Sequence, residues 1–175
     1  MSPDARPCRV VDTNVLVTAN HRNGSSYACA SKCAQALLRI RASGSVVIDD
    51  LDRILSEYQR YCSHSGQPGV GDYFFRWVYD NLGQEELVCR VTLSPRGDSG
   101  DFAEFPGHLG LAKFDLNDKK FVAVANAHQD RPPILQASDT KWWGWKDALL
   151  ECGITVEFLC PDEIQAAFNR KFNAD

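Results

Sequence analysis

The sequence predicts an α/β fold in which helices cover both faces of a central, mostly parallel sheet, as a three-layer α/β/α sandwich. Short Val- and Ile-rich runs without helical period alternate along the chain with segments whose apolar residues recur every three or four positions. Gly and Pro residues separate several of these segments. Strands that alternate with helices are typical of a parallel sheet, because neighbouring parallel strands need a crossover connection.

The first half of the chain predicts two strands, each followed by a helix. Residues 8–12 and the apolar positions that follow them predict the first strand, because the run is short and rich in Val. Residues 25–42 predict a helix from their spacing of apolar positions. The stretch GSVVIDD predicts the second strand, and Asp49 or Asp50 can cap the helix predicted over residues 51–62.

The second half continues the alternation around one irregular segment. That segment, residues 94–110, is rich in Gly and Pro, and loops of this length inside a compact domain are usually functional or mobile. The other predicted elements are, in order, the helix DYFFRWVYDNL, the strand ELVCRVTL, the helix LNDKKFVAVANAH, the strand PPILQASD, the helix WWGWKDALLECG, the strand ITVEFL and a short helix after Pro161.

Length and composition predict a single domain over residues 1–175. The chain is 44% hydrophobic and 24% charged, which is enough apolar sequence for one sizeable core. No segment approaches the roughly 18 apolar residues of a membrane span, so we expect a soluble cytoplasmic protein without a membrane partner. The net charge of -4 gives no overall basic field, so a polyanion would have to be bound by local patches or through metal.

Seven cysteines are spread through the predicted helices and strands, without a CxxC pair. This odd number disfavours a disulfide framework, so we expect reduced thiols, as in a cytosolic protein. Cys29 and Cys33 share one face of a predicted helix, and Cys62 lies near His64. Neither pair has the paired ligand spacing of tetrahedral zinc sites, so we expect no zinc site.

Acidic residues follow several of the predicted strands. In open α/β sheets the ligand site lies at the carboxyl ends of the strands, where Asp12 and Asp139 are expected. Asp49 and Asp50 also follow a strand, but with Asp52 they are better interpreted as acids that cap the next helix.

Two further acids are predicted on helices that face this edge. Asp118 falls within the apolar arc of its helix, and Glu57 borders the arc of another. Together with Asp12 and Asp139 they would repel one another unless a hard divalent cation with oxygen ligands, Mg²⁺ or Mn²⁺, held them together. Such ions activate water and bind phosphate, which favours phosphodiester hydrolysis.

This pattern resembles the PIN domain, a family of metal-dependent ribonucleases in which helices surround a parallel sheet. The matching stretches occur in the order found in the family and span nearly the whole chain. They are VVDTNVLV with Asp12 and Asn14, ILSEY with Glu57, LNDKKFVAVANA with Asp118, and ASDTKW with Ser138, Asp139 and Thr140.

The resemblance implies a catalytic metal site and an endoribonuclease activity. Its metal ligands and catalytic acids would be Asp12, Glu57, Asp118 and Asp139, with Mg²⁺ or Mn²⁺ as the cofactor. The implied reaction is metal-dependent hydrolysis of single-stranded or structured RNA. Small PIN proteins often act as toxins that an antitoxin protein holds inactive, commonly as homodimers.

The resemblance also implies supporting residues. Asn14 would brace the first aspartate, and Ser138 or Thr140 would orient a carboxylate or a water molecule. The chain departs from the family in two respects: residues 66–110 are longer than a compact member needs, and no further acid stands two residues after Asp139. The second departure leaves the number of metal ions open.

Several side chains near the acids are candidates for RNA contact. Lys119 and Lys120 are expected on the exposed side of their helix, where they would meet phosphates or form an ordinary solvated face. Trp142, Trp143 and Trp145 follow the last acid, and we expect one of them, with Trp142 as a candidate, to stack on unpaired bases while at least one packs in the core.

Two other classes of protein remain as alternatives. A haloacid dehalogenase type phosphatase also begins with an aspartate at the end of its first strand, but it needs a second aspartate where this chain has Asn14, and an amide is a poor proton donor. A non-catalytic PIN-like scaffold that binds RNA or protein would share the fold without cutting RNA.

Overall fold

The computed structural model describes residues 6–172 and confirms the α/β fold. Its strands are β1 (Cys8–Val11), β2 (Ser45–Asp49), β3 (Val88–Val91), β4 (Pro95–Arg96), β5 (Asp101–Phe102), β6 (Ile134–Gln136) and β7 (Val156–Phe158). Its helices are α1 (Thr13–Ala19), α2 (Tyr27–Ser43), α3 (Arg53–Tyr61), α4 (Val70–Asp80), α5 (Lys119–Ala127), α6 (Thr140–Glu151) and α7 (Pro161–Phe172), with a 3₁₀ turn at Leu109–Leu111.

The central sheet has five parallel strands in the order β3-β2-β1-β6-β7. The chain moves outward from β1 to β3 and then returns to the other side of β1, so the direction of winding reverses between β1 and β6. Because crossovers between parallel strands are right-handed, this reversal places α1 to α4 on one face and α5 and α6 on the other. The crevice for a ligand is expected at the carboxyl ends of β1 and β6.

The core is built from the strands and the inner faces of the helices. The largest fully buried side chains include Trp142, Tyr58, Phe74, Phe75 and Phe121. Within residues 6–172, no helix is both long enough and apolar enough to cross a membrane.

The predicted extension of the first strand beyond Asp12 was wrong. The strand ends at Val11, and α1 begins at Thr13 with Asp12 as its N-cap, since the carboxylate of Asp12 accepts a hydrogen bond from the backbone N–H of Asn14 at 2.8 Å. The apolar run after Asp12 is short and buried, and a run of this kind is compatible with either a strand or a helix.

The irregular segment over residues 94–110 is more ordered than its composition predicts. The antiparallel strands β4 and β5 form a small hairpin within it, and the 3₁₀ turn follows. Phe102 and Leu111 are both buried and anchor this segment to the core. Phe102 also brings the hairpin beside α3, because the guanidinium of Arg53 lies 5.3 Å from the centre of its ring.

The expectation that all cysteines are reduced thiols was wrong for one pair. Cys29 and Cys160 form a disulfide although 131 residues separate them in the sequence. Sequence spacing could not indicate this pair, because only the fold brings the start of α2 beside the start of α7.

A buried aspartate that the sequence analysis did not single out joins α1, α3 and α4. The Asp72 side chain is fully buried, and its carboxylate accepts hydrogen bonds from Asn20 (3.1 Å), from Arg22 (2.9 Å) and from the backbone N–H groups of Ser63 and Gly69 (2.8 and 3.0 Å). Such a carboxylate is stable only because every partner is present.

Replacing Asp72 by Ala is expected to lower the free energy of unfolding by about 3 kcal/mol, because two backbone N–H groups and a cation lose their acceptor. Urea unfolding monitored by circular dichroism measures this change. Asp80 on the same helix is the matched control, because it forms only a surface ion pair with Arg76, and its replacement by Ala should change stability by less than about 1 kcal/mol. An equal loss in both variants would contradict the prediction.

Candidate metal centre

The structure brings all four candidate acids to one cavity at the carboxyl ends of β1 and β6. Asp12, Glu57, Asp118 and Asp139 line this cavity of about 230 Å³, which we call the acidic cavity. Asp12 directly follows β1, and its backbone N–H donates to the carbonyl of Leu135 in β6 at 3.1 Å. The acidic cavity therefore lies at the point where the winding of the sheet reverses.

Three of the four acids occupy the N-cap positions of helices. Asp12, Asp118 and Asp139 precede α1, α5 and α6, respectively. The carboxylate of Asp139 accepts a hydrogen bond from the backbone N–H of Lys141 at 2.9 Å, whereas Asp118 makes no side-chain cap. The positive ends of these helices point toward the cavity, where they favour negative charge.

The carboxyl groups affect one another's ionisation. Burial raises the pKa of Asp12 well above its usual value, and the charge of Asp118 raises it further. Burial, with the neighbouring charges of Asp115 and Asp139, raises the pKa of Asp118 to about 6. The acidic cavity therefore has too little positive charge to stabilise all of its carboxylates near neutral pH.

The nearest cation to these acids is Lys120, whose predicted exposure was wrong. Its side chain is only 9% exposed, and its ammonium group lies 2.5 Å from a carboxylate oxygen of Glu57. It also donates a hydrogen bond to the carbonyl of Asn117. Lys120 lies on the side of α5 that carries its buried residues, so its side chain faces inward. There its ammonium group neutralises the carboxylate of Glu57.

The four acids line one cavity, but their carboxylate oxygen atoms do not converge on a single position. Among the described residues, no three of the four carboxylates bring oxygen atoms within 4.8 Å of one another. The ammonium group of Lys120, beside Glu57, offsets part of the repulsion that a divalent cation would otherwise remove. The donor set, four carboxylates with two raised pKa values, still fits a hard cation such as Mg²⁺ or Mn²⁺.

A buried hydroxyl at the same cavity was missed by the sequence analysis. Thr13 lines the acidic cavity, and its side-chain oxygen is buried without a hydrogen-bond partner. Buried polar atoms are rarely left without one, so this hydroxyl is an unsatisfied group beside the cavity. Its position next to Asp12 was the only indication in the sequence.

The supporting residues lie near the acids but act differently from the expectation. Asn14 braces Asp12 through its backbone N–H, while its side-chain oxygen accepts a hydrogen bond from Thr18. Ser138 lines a separate cavity beside α7, and Thr140 is the first residue of α6. In the described chain, no hydrogen bond joins either hydroxyl to the carboxylate of Asp139.

The exposed positions expected for Lys119 and Trp142 as candidates for RNA contact are not observed. Lys119 is not on an exposed face, since its side chain is 14% exposed and its ammonium group lies 3.0 Å from a carboxylate oxygen of Asp101. Trp142 is fully buried, with its ring edge-on to Phe114, because it lies on the inner face of α6. Trp143 is only half-buried and packs against Phe158.

A basic groove that the sequence analysis missed adjoins the acidic cavity. Its volume is about 270 Å³, and Arg53, Arg60 and Lys120 line it together with Glu57, which also lines the acidic cavity. Arg53 and Arg60 lie on α3, and their spacing in the sequence does not distinguish a binding surface from an ordinary solvated helix face. The fold makes these two arginines one wall of a groove, because Phe102 of the β4–β5 hairpin forms the opposite wall.

Comparison with known proteins adds nothing to these observations, since no family model, no curated protein and no solved structure matches this chain. The resemblance to the PIN domain therefore stays a prediction from the sequence motifs. The function must be argued from the geometry of the acidic cavity and the basic groove.

Proposed function

We propose that this protein is a ribonuclease that depends on a divalent metal ion. The observation that carries the proposal is the acidic cavity, which four carboxylates from four separate elements line at the point where the winding of the sheet reverses. Burial and the charges of neighbouring carboxylates raise the pKa values of Asp12 and Asp118, so a bound cation would stabilise their ionised forms. A cluster of acids with only a structural role would gain no stability from this repulsion.

Asp12, Glu57, Asp118 and Asp139 would hold the ion, Mg²⁺ or Mn²⁺. Bound there, the ion would supply Lewis acidity toward a phosphodiester and lower the pKa of water. The chain fixes the orientation of Asp12 through the N–H of Asn14 and that of Asp139 through the N–H of Lys141. Thr13 lines the cavity next to Asp12, and its buried hydroxyl has no hydrogen-bond partner among the described residues.

The basic groove supports a nucleic acid as the substrate. A chain of phosphates that passes the acidic cavity would continue between α3 and the β4–β5 hairpin, where Arg53 and Arg60 carry charges that suit phosphate. Arginine also stacks on bases and binds phosphate with two parallel hydrogen bonds. The expected substrate is RNA with an unpaired stretch that can enter the groove.

Cleavage of labelled RNAs, single-stranded and structured, by the purified protein tests the proposal. We expect products with Mn²⁺ or Mg²⁺ and none with EDTA. RNA binding without cleavage under any of these conditions would favour the alternative of a non-catalytic scaffold, for which the ion pair of Lys120 with Glu57 already neutralises part of the site.

Replacing Arg53 and Arg60 together by Ala is expected to raise the KM for RNA by about 10-fold or more and to change kcat little, because the groove binds the substrate away from the reacting phosphate. The dependence of binding on salt should also fall by about one unit of slope for each lost phosphate contact. Steady-state kinetics at two salt concentrations measures both effects.

Arg39→Ala is the matched control, because Arg39 lines a cavity near the beginning of β1, at the opposite edge of the sheet. An equal rise in KM in Arg39→Ala would contradict the role of the groove.

A further inference from the structure

Three cysteines form a buried cluster outside the acidic cavity and the basic groove. Cys29, Cys33 and Cys160 are at most 2% exposed, and their sulfur atoms all lie within 4.8 Å of one another. Cys29 and Cys33 are one turn apart on α2, and Cys160 immediately precedes α7. The proposed nuclease does not use any of these residues.

The structure holds the oxidised form of this thiol triad, with Cys29 bonded to Cys160 and the Cys33 thiol beside them. Reduction by a low-molecular-weight thiol or a phosphine adds two electrons and two protons, which breaks the S–S bond and gives three thiols. Three sulfurs bound to one tetrahedral zinc ion lie about 3.8 Å apart, given Zn–S bonds of about 2.3 Å. The sulfur atoms of the triad all lie within 4.8 Å of one another, which is close to this spacing.

Two helix N-termini favour negative charge at these sulfurs. Cys29 lies in the first turn of α2, and its backbone N–H donates to the hydroxyl of the N-cap residue Ser26 at 3.1 Å. Cys160 stands directly before the first residue of α7. The positive end of a helix lowers the free energy of a thiolate, which is the form that binds metal.

A carboxylate lies beside the cluster. Glu163, in the first turn of α7, hydrogen-bonds the hydroxyl of Ser26 at the edge of the cluster. Burial, with a smaller effect from the negative charge of Glu163, raises the pKa of the Cys33 thiol to about 12. Glu163 is therefore close enough to the sulfur of Cys33 for its charge to act on that thiol.

We propose that the reduced thiol triad of Cys29, Cys33 and Cys160 is a binding site for Zn²⁺, with Glu163 as the fourth ligand. Zinc binding releases one proton from each of the three thiols and forms three Zn–S bonds. Because the ligands come from α2 and from the start of α7, the bound ion would hold α7 against α2, as the disulfide does in the oxidised form. This inference is independent of the proposed nuclease activity.

Titration of the reduced, full-length protein with Co²⁺ under anaerobic conditions tests the site. We expect an intense thiolate-to-cobalt charge-transfer band that Zn²⁺ abolishes by displacement. Carboxylate ligands give no such band, so the acidic cavity does not contribute to the result. Cys33→Ser should weaken Co²⁺ binding by more than about 100-fold, beyond the loss typical of outer-shell partners.

Two cysteines outside the thiol triad provide controls. Cys62 is a buried thiol whose pKa is also raised to about 12, mainly by burial, so Cys62→Ser should keep the band. Cys8 belongs to a second group with His128 and Asp130, and Cys8→Ser should keep the band as well. No band in the reduced wild type, or a band lost in Cys8→Ser and kept in Cys33→Ser, would overturn the proposal.

A further variant keeps the test informative if Cys33→Ser fails to fold. Glu163 is exposed, so Glu163→Gln should fold normally and retain the band while binding Zn²⁺ about 10-fold more weakly. Unchanged zinc affinity in Glu163→Gln would remove Glu163 from the site. Native mass spectrometry of the reduced wild type should show one zinc ion and the loss of its displaced protons, and an unchanged mass would overturn the proposal.

Discussion

Replacing Asp12 by Asn is expected to reduce metal-dependent RNA cleavage by at least about 10³-fold, because the variant loses the most buried carboxylate of the acidic cavity. The amide keeps the shape of the side chain and can still accept the hydrogen bond from the N–H of Asn14. The change therefore removes charge while it preserves the N-cap of α1. Single-turnover cleavage of a labelled RNA at saturating Mn²⁺ measures the loss.

The same variant should not be less stable than the wild type in EDTA. Burial and the charge of Asp118 raise the pKa of Asp12, so its ionised form is unfavourable without a cation, and a neutral amide removes that repulsion. If activity is lost while thermal stability is retained or increased, the role of Asp12 is therefore functional and not structural. Full activity in Asp12→Asn would contradict the proposed site. If activity is lost and the variant is also unfolded, disruption of α1 is the cause, and circular dichroism detects this unfolding.

The order of strands and helices could largely be predicted from the sequence, because the helices with apolar stripes and the Val-rich strands have distinct periods. Two elements could not. The run after Asp12 is too short for its period to distinguish a buried helix from a strand, and the β4–β5 hairpin has strands of only two residues each. Both missed elements adjoin the proposed functional surfaces, since α1 begins at the acidic cavity and the hairpin closes the basic groove.

The four acids could be predicted because each follows a strand or faces the apolar side of a helix, and those positions meet at one sheet edge. The surrounding cations could not be predicted in the same way. Lys120 reaches inward although its neighbour Lys119 pairs with the hairpin, and this difference depends on the rotation of α5 against the sheet. The contacts of Arg53 and Cys160 are similarly non-local, because their partners are far away in the sequence.

Replacing Asp118 by Asn is expected to stabilise the metal-free protein at pH 8 and to leave its stability unchanged at pH 4. Because the pKa of Asp118 is raised from 3.8 to about 6, the folded protein takes up this proton more readily than the unfolded chain. The ionised carboxylate therefore lowers stability above about pH 6, and the effect disappears as the pH falls toward 4. For a raised pKa of this size the expected gain at pH 8 is about 3 kcal/mol.

Asp101 gives the matched control with the opposite sign. A hydrogen bond from Lys119 at 3.0 Å lowers the pKa of Asp101, so its charge stabilises the folded state above the unfolded pKa and is lost on acidification. Asp101→Asn should therefore lower stability at pH 8, by less than about 1 kcal/mol for an acid this exposed. Urea unfolding of both variants in EDTA at the two pH values measures these effects.

At pH 8, divalent cations should reverse the order of stability of the wild type and Asp118→Asn. At a concentration of Mg²⁺ or Mn²⁺ about 1,000 times its Kd, the wild type should gain about 4.1 kcal/mol, while Asp118→Asn, which lacks one ligand, should gain far less. The wild type would then be at least as stable as the variant that exceeds it in EDTA. If Asp118→Asn were instead less stable than the wild type in EDTA at pH 8, repulsion at the acidic cavity would be too weak to require a cation, and the metal centre would lose its main support.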